Sequence, residues 1–131
     1  MNTSEYRRVV EELCKVVGFN SPKTLFDGGR LRIDDYLVAL IYDETFDPDL
    51  LQVYIDLGPI PADRAAACKT FLKINFNLSA SQRGSLSVHP QTEHLFYSFR
   101  YRLDKNASGQ ALLDSLIRFV GDVGLEAMAT V

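Results

Sequence analysis

Apolar residues recur at Tyr6, Val9, Val10, Leu13, Val16 and Val17, the i, i+3, i+4, i+7 spacing of an amphipathic helix. The spacing predicts a helix from about Ser4 to Val17. Thr3 or Ser4 can cap its start, Glu5 suits the first turn, and Gly18 suits the stop. A β region follows. Thr24-Leu25-Phe26 and Arg30 to Asp34 flank Asp27-Gly28-Gly29, so a short hairpin is expected there. In its second arm Leu31 and Ile33 alternate with Arg30, Arg32 and Asp34, the pattern of a half-buried strand. Asp34-Asp35 breaks the run. Tyr36 to Tyr42 is apolar on both faces, as in a central strand. Glu44 to Asp49 contains Pro48 and three acidic residues and reads as a turn. Leu51, Val53, Ile55 and Leu57 then alternate with Gln52, Tyr54 and Asp56 in a further strand.

Gly58-Pro59-Ile60-Pro61 is expected to stop that strand. Ala62 to about Phe76 is rich in alanine and reads as a second helix, with Ala65, Cys68, Phe71, Leu72 and Asn75 near one stripe. Ser79 to Gly84 is a polar loop. Leu86 and Val88 mark a short strand ended by Pro90. From His94 to Leu103, Leu95, Tyr97, Phe99, Tyr101 and Leu103 form one face, with Ser98, Arg100 and Arg102 on the other. Asp104 to Gly109 is a turn. Leu112, Leu116, Phe119, Val120 and Val123 give a third helical stripe, with the tail beyond Gly124 as its frayed extension. The order is α-β-β-β-α-β-β-α. Short connections make the strands antiparallel neighbours. The expected class is α+β: a single twisted antiparallel sheet with three helices packed on it.

Composition narrows the function. The 131 residues fit one domain, 1–131, and neither a repeat nor a linker divides it. No apolar run reaches the ~20 residues of a membrane span, and the N-terminus lacks the pattern of a signal peptide. Membrane insertion is not expected. A net charge of −3 gives nucleic-acid binding no global electrostatic support. Cys14 and Cys68 are spaced as neither a metal clip nor a redox pair and read as buried, reduced thiols. His89 and His94 are five apart, on opposite faces of a continuous strand, so a shared metal would need the turn at Pro90 to fold them together. Asp34, Asp35, Asp43, Glu44, Asp47 and Asp49 fit solvated turns, and the calcium-loop pattern is absent. Gly28-Gly29 precedes no helix and is not a phosphate cradle, and no serine sits in a GxSxG setting. Neither catalysis nor a cofactor or metal is expected.

The apolar supply raises a different possibility. One layer of sheet with three helices covers one face well. The second face then needs a homodimer or a bound peptide, or else the second helix covers it.

The order of elements, with several short phrases, resembles the class I type III secretion chaperones, the Tir-chaperone (CesT) family. The resemblance runs from about Tyr6 to Val123. Leu31-Arg32-Ile33-Asp34-Asp35 resembles the family's l-x-I-D-d phrase before a long apolar strand. Leu57-Gly58-Pro59-Ile60-Pro61 resembles its phrase before the middle helix, and Phe71-Leu72-Lys73-Ile74-Asn75-Phe76 the end of that helix. Gly84-Ser85-Leu86-Ser87-Val88 and Leu95-Phe96-Tyr97 resemble its last two strands. Val88-His89-Pro90 departs from the acidic residue that often follows there, and the tryptophan common near the family's C-terminal end is missing.

The resemblance implies a cytoplasmic bacterial, ATP-independent homodimer. It would bind the N-terminal chaperone-binding segment of a type III secreted effector in extended form and keep it secretion-competent. It would then help deliver the segment to the secretion apparatus, with the secretion ATPase as a further partner. The middle helix would carry the dimer contact through Ala65, Ala66, Cys68, Phe71 and Leu72. The effector would lie on Tyr6, Val10, Leu13, Leu31 and Ile33. The alternative on the same fold is a regulatory adaptor that sequesters a regulator of type III secretion. An extended client gains affinity from main-chain pairing with a sheet edge and specificity from side-chain pockets.

Overall fold

The computed structural model describes the backbone of residues 2–129 and the side chains of residues 3–123. Among these residues the elements are α1 (Asn2–Val17), α2 (Pro22–Phe26), β1 (Arg30–Ile33), β2 (Tyr36–Ile41), β3 (Leu50–Pro59), α3 (Arg64–Ala80), β4 (Ser85–Val88), β5 (His94–Arg102) and α4 (Gly109–Ala129). The strands form one antiparallel sheet in the order β1-β2-β3-β5-β4. The α+β class and single sheet are as expected from the sequence.

One expected arm of β structure is a helix instead. Thr24-Leu25-Phe26 belongs to α2, and β1 pairs with β2, not with this segment. Pro22 supplies the preset φ of a first helical position. The Gly29 N–H then closes back on the Thr24 carbonyl at 2.8 Å, with Gly28 at φ +88°, so the glycine pair ends a helical turn. Leu25 is thereby buried against the core.

Three other boundaries differ. α1 starts at Asn2, which puts Thr3 and Ser4 inside its first turn. β3 continues through Pro59 by way of a bulge between Asp56 and Gly58, where the Asp56 carboxylate accepts the Gly58 N–H at 2.8 Å. α3 runs one turn past Phe76, because Leu78 is an apolar anchor in phase with Phe71 and Ile74. The α4 backbone continues to Ala129, and the side chains of the tail beyond Gly124 lie outside the described residues.

One face of the sheet carries the core. Leu31, Ile33, Val38, Leu40, Leu51, Val53, Ile55, Tyr97 and Phe99 meet Val9, Val10 and Leu13 of α1 and Leu112, Leu116 and Val120 of α4. Phe119 of α4 sits edge-on to Phe99 at 5.1 Å. The junction of α1 with the start of α4 is tight. A Cβ on Gly109 would lie 2.2 Å from the Leu13 nitrogen, so glycine lets the two backbones touch.

The other face is largely uncovered, though Phe96 is buried on it beside the His89 ring. β3 holds the centre of the sheet, and β2 is buried on one side only, through Val38 and Leu40. α3 does not cross the open face; it lies along the β4 edge and meets α4. There Asn75 completes the sheet. Its amide donates to the Leu86 carbonyl at 2.9 Å and accepts the Leu86 N–H at 2.5 Å. One side chain thus takes the place of a neighbouring strand and blunts an edge that could pair with another chain. Replacing Asn75 with alanine orphans both groups. We expect a loss of about 1–3 kcal/mol, read as a lower urea midpoint with an unchanged slope.

Candidate partner-binding surfaces

The outer side of α3 is the most apolar exposed helix face. Leu72 is 69 % exposed and Phe76 78 %. They stand one turn apart, beside half-buried Cys68, because α3 carries apolar residues on two sides. Its inner side, Ala67, Phe71, Ile74 and Leu78, is buried. The stripe read from the sequence drew on both sides. Ala65, Ala66 and Leu72 are exposed, Cys68 is half-buried, and Phe71 belongs to the core. Phe76, which the sequence stripe did not include, shares this exposed side in phase with Cys68 and Leu72. Between α3 and β4 lies a groove of about 200 Å³ lined by Cys68, Phe71, Leu72, Asn75, Leu86 and Val88, among others.

The residues expected to receive a client are mostly internal. Val10 and Leu13 are fully buried, and Leu31 and Ile33 nearly so. In the monomer they offer no surface. Tyr6 does. It stacks on Tyr42 at 4.4 Å, and Phe26 stands edge-on to it at 5.4 Å. The Arg7 guanidinium lies 4.9 Å over the Phe26 ring. These half-buried rings make a ledge between α1, α2 and the end of β2. Burial pushes the Tyr6 hydroxyl above its ordinary pKa, so it stays protonated and available as a donor. Beside the ledge runs β1, an outer strand of the sheet. The two-residue turn at Asp34-Asp35 pairs Ile33 with Tyr36 and Leu31 with Val38, which directs the main-chain groups of Arg30 and Arg32 outward.

Several ionisable groups tie α1 to the start of α4. Glu12 accepts the Gly109 N–H at 2.9 Å, so a carboxylate of α1 sits on the N-terminus of α4. Arg8 bonds Glu12 and Glu5 and reaches the Ala107 carbonyl at 2.7 Å. The Gly109 N–H, and next the Arg8 hydrogen bond, hold the Glu12 carboxyl below its ordinary value of 4.5. A depressed folded value means stability present above pH 4.5 and lost as pH falls through the folded pKa. Glu12→Gln keeps the acceptor and removes the charge. The half-exposed site limits the effect to about 0.5 kcal/mol. Its melting temperature should fall about 2 °C at pH 7, and the gap should close as pH falls through the folded pKa of Glu12.

The turn at Pro90 does bring His89 and His94 opposite one another: the His89 N–H donates to the His94 carbonyl at 3.0 Å. The rings are engaged elsewhere. His94 Nδ1 pairs with Asp56 at 3.0 Å, while His89 Nδ1 accepts the N–H groups of Gln91 and Thr92. Among the described residues no group of three histidine, cysteine, aspartate or glutamate side chains could hold a metal. Asp34 occupies a turn at φ +53°, and Asp43 accepts the N–H groups of Thr45 and Phe46. Cys14 is buried, but Cys68 is only half so, because it borders the outer side of α3. No helix among the described residues is long and apolar enough to cross a membrane.

An open five-stranded antiparallel sheet with two helices on one face and a third along its edge is a fold this chain shares with chains of two solved chaperone–effector complexes. A chain of the HopA1–SchA chaperone–effector complex superposes with a TM-score of 0.67 at 14 % identity, covering 89 % of this chain and 88 % of that one. A chain of the ExoT–SpcS complex from Pseudomonas aeruginosa superposes with a TM-score of 0.59 at 15 % identity, covering 92 % and 95 %. At such identities the likeness is one of fold. No family model matches the sequence, and no curated protein matches it.

Proposed function

We propose that this protein is a cytoplasmic, ATP-independent chaperone for a type III secreted effector. It acts as a homodimer, holds the N-terminal segment of the effector extended and delivers it to the secretion apparatus, with the secretion ATPase as a partner in that step. The observation that carries the reading is the superposition, over nearly the whole length, on a chain from a chaperone–effector complex. The exposed apolar surfaces support it. Leu72 and Phe76 are costly to leave in water, and a second α3 packed on them would cover both. Exposed Ala65 and Ala66 let the two helices approach closely. Phe71 supports this face from beneath.

The client runs along the α1–β1 side. Tyr6 supplies contact surface there together with Phe26 and Tyr42, and Val10, Leu13, Leu31 and Ile33 fix the shape under it. The outward main-chain groups of β1 pair with an extended segment, which recovers part of the ordering entropy that such a client loses. The test is a tagged pull-down from the native bacterium, followed by limited proteolysis of what is bound. A stoichiometric secreted partner held through a stretch near its N-terminus establishes the reading. A cytosolic regulator in its place moves the protein to the adaptor role, and loss of nothing from the secretome on deletion overturns the chaperone role.

A further inference from the structure

The turn between β2 and β3 presents a phenylalanine that the fold does not use. Phe46 is 68 % exposed, at the tip of the connection from Ile41 to Leu50. That connection is fixed at several points. Asp43 accepts the N–H and hydroxyl of Thr45 and the N–H of Phe46. The Tyr42 hydroxyl donates to the Pro48 carbonyl at 2.9 Å, and Glu44 accepts the Thr3 hydroxyl from α1 at 2.7 Å. The Leu103 N–H donates to the Asp49 carbonyl at 2.7 Å. So the ring is held out in a preorganised position.

Beneath it the corner of the open face next to this turn is apolar. Ile41, 43 % exposed, and Leu50 form the floor of a cleft of about 190 Å³, walled by Phe46 and closed by Gln52. Asp43 and Asp47 complete the lining, and no basic residue belongs to it. Arg102 and Arg100 of β5 stand opposite Leu50 and Gln52 on the same face, outside the lining, so the acidic side of the cleft is the one formed by the turn. The hydrogen bonds from Thr45 hold the Asp43 carboxyl below the usual range, so it is charged at neutral pH.

We infer that this cleft is a docking pocket for a client segment in which an apolar side chain is flanked by lysine or arginine. The floor fits the apolar group, and the acidic rim fits the cation and disfavours an acidic segment. The pocket lies on the open face of the sheet, away from the outer side of α3, and adjoins the Tyr6 ledge, whose Tyr42 sits between Ile41 and Asp43 and stacks on α1 instead. It therefore adds a further anchor along an extended client, and linked anchors gain from effective concentration. The inference rests on the proposed client-binding role for the class of its occupant.

The chain has no tryptophan, so a tryptophan-containing peptide is a clean reporter. The probes are Gly-Lys-Ile-Trp-Lys-Gly and its counterpart with glutamate in place of lysine, followed by peptide fluorescence. The lysine peptide should blue-shift and saturate, and the glutamate peptide should not. Phe46→Ser should weaken binding about tenfold, as loss of a central apolar anchor does. Asp47→Asn keeps a side-chain acceptor for the Asp49 N–H but loses the charge, and should weaken binding about threefold at low salt and less at high salt. Equal binding of both peptides, no binding of either, or an unchanged Phe46→Ser would overturn the pocket. So would a Phe46→Ser chain whose light-scattering mass falls, because the cleft would then be covered by a second copy. A client captured by native pull-down yet indifferent to Phe46→Ser refutes the pocket and leaves the chaperone role standing. Peptide binding without any secreted client does the reverse.

Discussion

On the proposed α3-mediated homodimer, Leu72→Asp and Phe76→Asp are each expected to leave a monomer, with the light-scattering mass half that of the parent chain. Both side chains are more than two-thirds exposed in the single chain, so neither substitution disturbs the core. Burial of a leucine or phenylalanine is worth about 1.5–3 kcal/mol, and two-fold symmetry counts each one twice. A charge placed there loses that gain and adds a desolvation cost as two like carboxylates approach. The expected weakening is at least about a thousandfold in the dimer constant. Ala66→Arg should act in the same direction by holding the helices apart. The melting transition of the monomer should be kept at high dilution, where mass action no longer favours the dimer. A mass that stays dimeric in Leu72→Asp and in Phe76→Asp alike removes α3 from the interface.

The same helix shows where sequence reading stops. Its existence was legible from alanine content and the Gly-Pro stop before it. Its burial was not, because apolar residues occur in two phases and the pattern alone does not say which one faces the sheet. Asn75 read as a polar position near the stripe. That it completes the edge of β4 depends on Leu86, eleven residues away across a loop. Strand alternation was more informative. The core faces of β3 and β5 follow directly from residues two apart, since the side-chain period of a strand is two. Tyr36 to Tyr42 misled for the reason that makes it interesting: its second apolar set, with Leu37 and Ile41, is not covered. The Thr24–Phe26 segment misled because glycines that suit a hairpin turn equally suit a helix stop.

Candidate surfaces were the least legible, for a physical reason. Amphipathic periodicity finds residues that leave water, and those are core first. Val10 is the clearest case, fully buried between α1 and the sheet. Val10→Asp is therefore expected to unfold the chain rather than to impair binding alone. A carboxylate there has neither water nor a cation, and the cost of several kcal/mol consumes most of a typical domain's stability of ~5–15 kcal/mol. The circular dichroism spectrum should collapse and client capture should vanish with it. Tyr6→Ser is the informative partner experiment. It removes a half-buried ring from the ledge with Tyr42 and Phe26, so the fold should survive with a loss of about 1–2 kcal/mol. Client capture should fall about tenfold with the spectrum intact. If instead Val10→Asp keeps a native spectrum and loses only the client, the α1 surface is lined as the family resemblance implies. If Tyr6→Ser captures client as well as the parent chain, the Tyr6 ledge is no part of the proposed client surface.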